Sequence, residues 1–277
     1  MSISGGIANA ALDAGKSGFG AFQLFTSSSR SWKQNVPKKD DAALFADYAK
    51  KYDTIPFAHI PYLCNLASPN TDVLRKSVLM LKDNINNCNE LGVRYLVLHL
   101  GSHLGKGFRT GSENIIKSIT SVESELDGVT LLFENTSGYT NNVGAKFSEI
   151  GTVVNGIGIK NIGICLDTCH AFAAGYDIRD RTSLRKMVNE IEDNIGMERL
   201  KLVHLNDSKF ELGSTKDRHW HIGKGFIGDK GFENFFSEKR FREGCFVMET
   251  PVNEEGDDTS NMKALLGIMK RCGIQAL

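Results

Sequence analysis

At 277 residues, with 41% hydrophobic and 24% charged side chains, the chain has an ordinary globular composition and room for one large domain or two small ones. Its 33 basic and 33 acidic residues cancel to a formal net charge of zero, which argues against a general polyanion binder that relies on surface basicity. No apolar run approaches the ~20 residues of a membrane helix, the N-terminus MSISGGIANAALDAG lacks the basic and apolar segments of a secretory signal, and the six scattered cysteines (64, 88, 165, 169, 245 and 272) read as reduced intracellular thiols packed as small hydrophobes.

In chain order, MSISGG reads as the stub of a first strand, followed by a helical pattern, IANAALDAGKSG. A strand, GAFQLFTSS (20–28), leads to a helix, DDAALFADYAKKY, with acids first and lysines last, as the helix dipole favours. The strand IPFAHIPY (55–62) precedes the helix TDVLRKSVLMLKDNINNCNELG, which opens on a capping Thr and closes on Gly. RYLVLHLGS (94–102), TLLFENTS (130–137), NIGICLDTCH (161–170), RLKLVHLNDS (199–208) and CFVMETP (245–251) complete the strands. Between and after them lie the helical stretches SENIIKSITSVESEL, KFSEIGTVVNGI, SLRKMVNEIEDNIG, FENFFSEKRF and NMKALLGIMKRCG. Such alternation implies a parallel sheet with right-handed crossovers. Seven strands and the stub make eight βα units, so the expected fold is a single α/β (β/α)8 barrel, which typically takes about 250 residues. No linker or low-complexity tract divides the chain, and one domain over residues 1–277 is expected.

The polar residues gather at one end of these strands. His59, His99, Glu134, Asp167, His204 and Glu249 each close one of six successive strands, and in a barrel those ends form a single face. His170 follows Asp167 by three residues, and Asp217 and His219 share a loop with a spacing that points both one way if the loop is extended. A lone His at a strand end is ordinarily a satisfied core or surface residue, and a lone Asp or Glu there is often a helix cap. The joint recurrence is what points elsewhere: nine such groups on one face need cations to hold them together. Imidazole with carboxylate favours zinc, with manganese or iron as substitutes, and nine ligands would hold two or three ions. Multi-metal sites of this kind stabilise the attacking and leaving oxygens of phosphoester displacement. The bound cations would supply the basic patch that the net charge lacks. His103 and His221 are left over and suit ordinary polar or substrate-near roles.

The stretches LFTSSSRSW, HIPYLCNLASP, YLVLHLGSHLGKG, LFENTSG, CLDTCHAFAAGYD, HLNDSK, DRHWHIGKGFIG and METP together resemble endonuclease IV, the zinc-dependent apurinic/apyrimidinic (AP) endonucleases of base-excision repair, across essentially the whole chain. The resemblance implies three zinc ions: one on His59, His99 and Glu134, a second sharing Glu134 with Asp167, His204 and Glu249, and a third on His170, Asp217 and His219. It makes Glu134 the catalytic residue that orients the nucleophile, and leaves Cys169 a packing thiol. Arg30 matches a residue that inserts into the duplex, and Tyr62 and Leu63 match residues that wedge into the base stack, which would help extrude a nucleotide that has no base to unstack. Lys224, Arg179 and Arg181 are phosphate-contact candidates or merely a solvated face. The implied activity is hydrolysis of the phosphodiester 5′ to an abasic site in double-stranded DNA, with trimming of blocked 3′ ends, by an intracellular monomer. Two alternatives are a metal-dependent sugar isomerase or epimerase of the same barrel class, and a catalytically silent damaged-DNA binder. The chain departs from the family pattern at MSISGG, where the first strand is expected to be cut short, and at HLGSH, where many members have HPGSH.

Overall fold

A computed structural model describes residues 1–242 and 244–274. They form two compact units, Met1–Glu134 with Val153–Ile164, and Asn135–Thr152 with Cys165–Leu277.

In the first unit the helix α1 (Ile7–Lys16) precedes strand β1 (Ala21–Leu24), and then α2 (Lys39–Lys51), β2 (Ile55–His59), α3 (Thr71–Leu91), β3 (Tyr95–His99), α4 (Phe108–Thr120) and β4 (Thr130–Glu134) alternate. The strands are short and β1 to β4 pair in parallel, with Ala21 opposite Ile55, Phe57 opposite Tyr95 and His99 opposite Glu134. Phe22, Phe57, Leu96 and Leu131 are buried, so these strands read as continuous apolar runs rather than as alternating ones. MSISGG makes a turn instead of a strand stub: the Gly6 N–H donates to Ile3 O at 3.2 Å, and Gly5 and Gly6 have φ of 81° and 130°, outside the range of a ladder. The Met1 amino group still donates to Gln23 O on β1. Helix α3 begins on Asn70, whose side chain accepts from Asp72 N and Val73 N, and ends on Gly92 in the left-handed region at φ 69°. Gly92 closes the helix as expected, but the cap is Asn70, and the expected capping Thr71 is instead the first helical residue. Helix α4 starts four residues earlier than the sequence pattern suggests and is followed by a separate 3-10 turn, Glu123–Glu125. The chain re-enters this unit through the end of α5 (Phe147–Ile157) and the start of β5 (Ile162–Asp167).

In the second unit β5 runs directly into a short helix, α6 (Thr168–Ala173), which periodicity does not reveal in six residues. Helix α7 (Arg181–Asn194) is capped by Asp180, and β6 (Leu200–His204) follows. An unforeseen two-residue ribbon pairs β7 (Asp207–Ser208) antiparallel to β8 (His219–Trp220). Helix α8 (Gly228–Ser237) is displaced towards the N-terminus of the predicted stretch and hands over to a 3-10 turn at Lys239–Phe241. Strand β9 (Cys245–Val247) pairs parallel to β6, with His204 opposite Val247. Helix α9 (Asp258–Arg271) starts in a reciprocal capping box between Asp257 and Ser260. Among the described residues no helix is long and apolar enough to cross a membrane.

Candidate metal centre

Six of the nine predicted ligands fall where strands stop. His59, His99, Glu134, Asp167 and His204 are the last residues of β2 to β6, and Glu249 lies two residues beyond β9. A strand that ends on an ionisable residue aims that side chain along the exit of the chain, where loops rather than apolar neighbours surround it.

In the first unit His59 is buried and its Nδ1 lies 2.7 Å from Ile60 O. A carbonyl can only accept, so Nδ1 carries the proton and Nε2 presents a lone pair. That Nε2 faces Glu134 Oε2 at 3.1 Å, and His99 Nε2 faces the same oxygen at 3.6 Å. The two imidazole rings lie 5.4 Å apart. Lone pairs of a neutral imidazole and a carboxylate repel at such distances unless a cation or a proton lies between them. A tetrahedral ion with ligand bonds of about 2.0–2.1 Å sets its ligand atoms roughly 3.3 Å apart, which matches this spacing.

The second unit repeats the device. His170 Nδ1 donates to Asn135 O at 3.0 Å, and its Nε2 faces Asp217 Oδ1 at 3.2 Å. His219 Nδ1 donates to Glu249 O at 3.1 Å. Its Nε2 is buried without a hydrogen bond, 3.5 Å from both Asp217 Oδ1 and Asp167 Oδ2. His204 turns its Nδ1 towards Glu249 Oε2 (3.2 Å) and Asp167 Oδ2 (3.8 Å). For His170 and His219, a buried nitrogen aimed at carboxylates with the opposite ring nitrogen tied to a carbonyl suits divalent cations held by mixed imidazole and oxygen donors.

Asp167 is both a helix cap and a ligand candidate. Its Oδ1 accepts the His170 N–H at 2.7 Å at the start of α6, while Oδ2 faces His204 and His219. Cys169 also comes close, within ligand spacing of Asp167 and His219. Its thiol donates to Arg218 O at 3.6 Å, and burial pushes it up to about 12, so it stays a protonated packing group in that contact.

Three supporting residues escaped the sequence reading. Asn206 donates to Asp167 Oδ2 at 2.6 Å and accepts the Glu249 N–H at 2.7 Å, so one amide orients two ligand candidates. Asn135 exchanges bonds with the Asp167 backbone, accepting from its N–H at 2.7 Å and donating to its carbonyl at 3.1 Å. Thr168 accepts the Asn206 N–H at 2.9 Å. Their only signal in the sequence is position, next to ligand candidates in FENT, LDT and HLND.

Arg30, Tyr62 and Leu63 lie on loops of the first unit, with Tyr62 and Leu63 exposed. Tyr62 is 65% exposed although its ring lies 5.6 Å from that of His59 and 6.2 Å from that of His99. The Arg30 loop is anchored from below by α3, where Thr26 Oγ1 donates to Asn84 Oδ1 (2.9 Å) and Asn87 donates to Asn35 O (3.0 Å). Arg179, a phosphate-contact candidate, is engaged internally: it forks onto Asp177 at 2.8 and 2.9 Å and lies over the Phe172 ring. Arg181 donates to Asn234 (3.3 Å), and Lys224 reaches Glu255 O at 2.6 Å. His103 accepts the Gly107 N–H (3.1 Å), and the buried His221 is held between Asn253 and Asn261 at 2.9 and 3.0 Å, so both leftover histidines shape loops.

A family model described as a xylose isomerase-like TIM barrel matches residues 11–272. The chain is 41% identical over 268 residues to a protein named probable endonuclease 4 from Cenarchaeum symbiosum (strain A), covering 95% of this chain and 96% of that one. It superposes on the crystal structure of endonuclease IV from Thermus thermophilus with a TM-score of 0.85 at 33% identity, over 98% of this chain and 97% of that one. A D-tagatose 3-epimerase-like protein, at 20% identity and a TM-score of 0.70 over 92% of this chain and 88% of that one, shares the fold alone.

Proposed function

The chain belongs to the endonuclease IV family of xylose isomerase-like TIM barrels, and on that premise we propose that it hydrolyses the phosphodiester 5′ to an abasic site in duplex DNA, leaving a 3′-hydroxyl and a 5′-deoxyribose phosphate. It is an AP endonuclease by family, with the (β/α)8 fold that the strand–helix alternation implied. One family model over residues 11–272 supports reading the chain as one domain.

The observation that carries the proposal is the orientation of His59, His170 and His219, each turning Nε2 towards carboxylate oxygens with Nδ1 tied to a carbonyl. It supports three zinc ions: His59, His99 and Glu134 would hold one, Asp167, His204 and Glu249 a second, and His170, Asp217 and His219 a third. Manganese or iron could substitute. Bound there, the ions supply Lewis acidity, making water acidic enough to attack phosphorus near neutral pH and compensating charge on the phosphate oxygens.

The protein's own groups hold the substrate and the nucleophile. Glu134 orients the attacking water, and its burial excludes bulk solvent from the carboxylate. Tyr62 and Leu63 wedge into the stack and Arg30 fills the gap in the duplex, so the abasic nucleotide leaves the helix. Blocked 3′ ends reach the same centre without extrusion, which accounts for trimming. The enzyme acts as a monomer.

The test is incision of a 5′-labelled duplex holding one tetrahydrofuran abasic analogue, which resists β-elimination. Incision just 5′ of the analogue, abolished by chelation and restored by zinc, is the expected result. An intact duplex with a folded, zinc-loaded protein would overturn the assignment.

A further inference from the structure

The stretch Gly223-Lys-Gly-Phe-Ile-Gly228 has the glycine spacing of a loop that wraps phosphate with its backbone amides and then opens a helix. Here the anion is internal. Asp207 is fully buried, and among the described residues its hydrogen-bond partners are backbone N–H groups alone. Oδ1 accepts from Ser208 N (2.8 Å), Ile227 N (3.0 Å) and Gly228 N (3.4 Å). Oδ2 accepts from Gly223 N (3.0 Å), Gly225 N (3.0 Å) and Gly228 N (3.2 Å).

The glycines are what allow the wrap. Gly223 and Gly228 have φ of 79° and 62°, and a Cβ on Gly225 would collide with Asp207 Oδ1 and Ser208 O. The carboxylate also meets the first turn of α8, where the helix dipole favours a negative charge. Such a cradle leaves no volume for an external phosphate.

Asp207 also begins the ribbon. Ser208 stands opposite His219, Lys209 N donates to Arg218 O at 3.0 Å, and Phe226 N donates to Ser208 O at 2.8 Å. The wrapped loop and the strand that carries His219 therefore hang on one carboxylate.

We propose that Asp207 is a positioning residue: it folds the Gly223–Gly228 loop around itself and through the β7–β8 ribbon sets Asp217 and His219 in register for the third metal ion. The inference rests on the three-ion reading above.

Zinc content, zinc affinity and incision are compared in wild type, Asp207→Asn and Gly225→Ala. The first variant replaces one acceptor by a donor facing amides. The second keeps the charge and pushes the loop away. Both are expected to keep the wild-type far-UV circular dichroism and to bind about two zincs where wild type binds about three. The midpoint of zinc reactivation should rise by about 10- to 100-fold, the usual cost of losing a group that orients a ligand, with rescue of incision at high zinc. If Asp207→Asn fails to fold, Gly225→Ala decides alone. Folded variants with wild-type zinc content and affinity would overturn the role of Asp207 while leaving the three-ion reading intact. A wild type that binds no zinc would overturn both.

Discussion

Behind His59, His170 and His219 stands a backbone carbonyl, and that carbonyl decides which ring nitrogen faces the carboxylates. The ligand candidates could be picked out in the sequence because most of them close apolar runs. The tautomers were not, because Ile60 is adjacent to His59 while Asn135 and Glu249 lie 35 and 30 positions from the histidines they hold. The same distance hid Asn206, which looks like any Asn at a turn until Asp167 and Glu249 are brought to it. Asn206→Ala is expected to weaken zinc binding by about 10- to 100-fold with the fold intact, read by competition with a chromogenic chelator. A second residue-level expectation concerns acid stability. The Arg179 guanidinium holds the Asp177 carboxyl below its ordinary value of 3.8. The ionised pair therefore contributes stability fully above that value, and loses it as pH falls through the depressed folded-state value. Asp177→Asn should lower the neutral plateau of a Tm-against-pH curve by a small amount, since the pair is partly exposed, and shrink the fall below pH ~4 by the same amount. An unchanged acid limb would remove the pair from that role.

Among the elements, α1 and α2 show how packing overrides propensity. Gly15 sits inside α1, where alanine would favour the helix by up to about 1 kcal/mol. Yet a Cβ there would fall within the ring of Tyr52 at the end of α2. Gly15→Ala is therefore expected to destabilise by about 1–3 kcal/mol, in the range for overpacking, measured as a lower denaturant midpoint. A rise in the midpoint would show that the two helices part without cost. Asp41 on α2 adds a cap that no local pattern announces, accepting from Ile7 N (2.8 Å) and Ala8 N (3.2 Å) at the start of α1. Elsewhere element boundaries follow local chemistry: Gly92 closes α3 as its sequence suggests, and Asn70 caps it one residue before the expected Thr71. The elements that escaped prediction, α6 and the β7–β8 ribbon, are a six-residue helix and two-residue strands, and neither spans enough residues to express a period.

For the whole molecule, formal neutrality bears directly on DNA affinity. A chain with 33 basic and 33 acidic residues has no net surplus of positive charge for holding phosphates, and the three-ion reading makes bound cations the source of attraction at the centre. Zinc-free protein is expected to bind an abasic duplex more weakly and with a shallower fall of log K with log salt than zinc-loaded protein, because fewer counterions are released. Fluorescence anisotropy over a salt series reads both quantities, and equal slopes would assign the affinity to surface lysines and arginines instead. In barrels of this family fold catalytic groups come from the ends of several strands, and five of the nine ligand candidates end a strand.

The sequence by itself determined the alternation of strands and helices and the nine ligand candidates, because burial imposes a period on apolar residues and an ionisable group at the end of a run interrupts it. Only the tertiary structure decided the orientation of those groups. The carbonyls behind His170 and His219 and the glycine loop wrapped on Asp207 join residues remote in sequence, and the double use of Asp167 as cap and ligand candidate depends on neighbours brought from other elements. Hydrogen bonds of that kind depend on distances of about 3 Å between atoms, and a linear pattern of residue types carries no record of them.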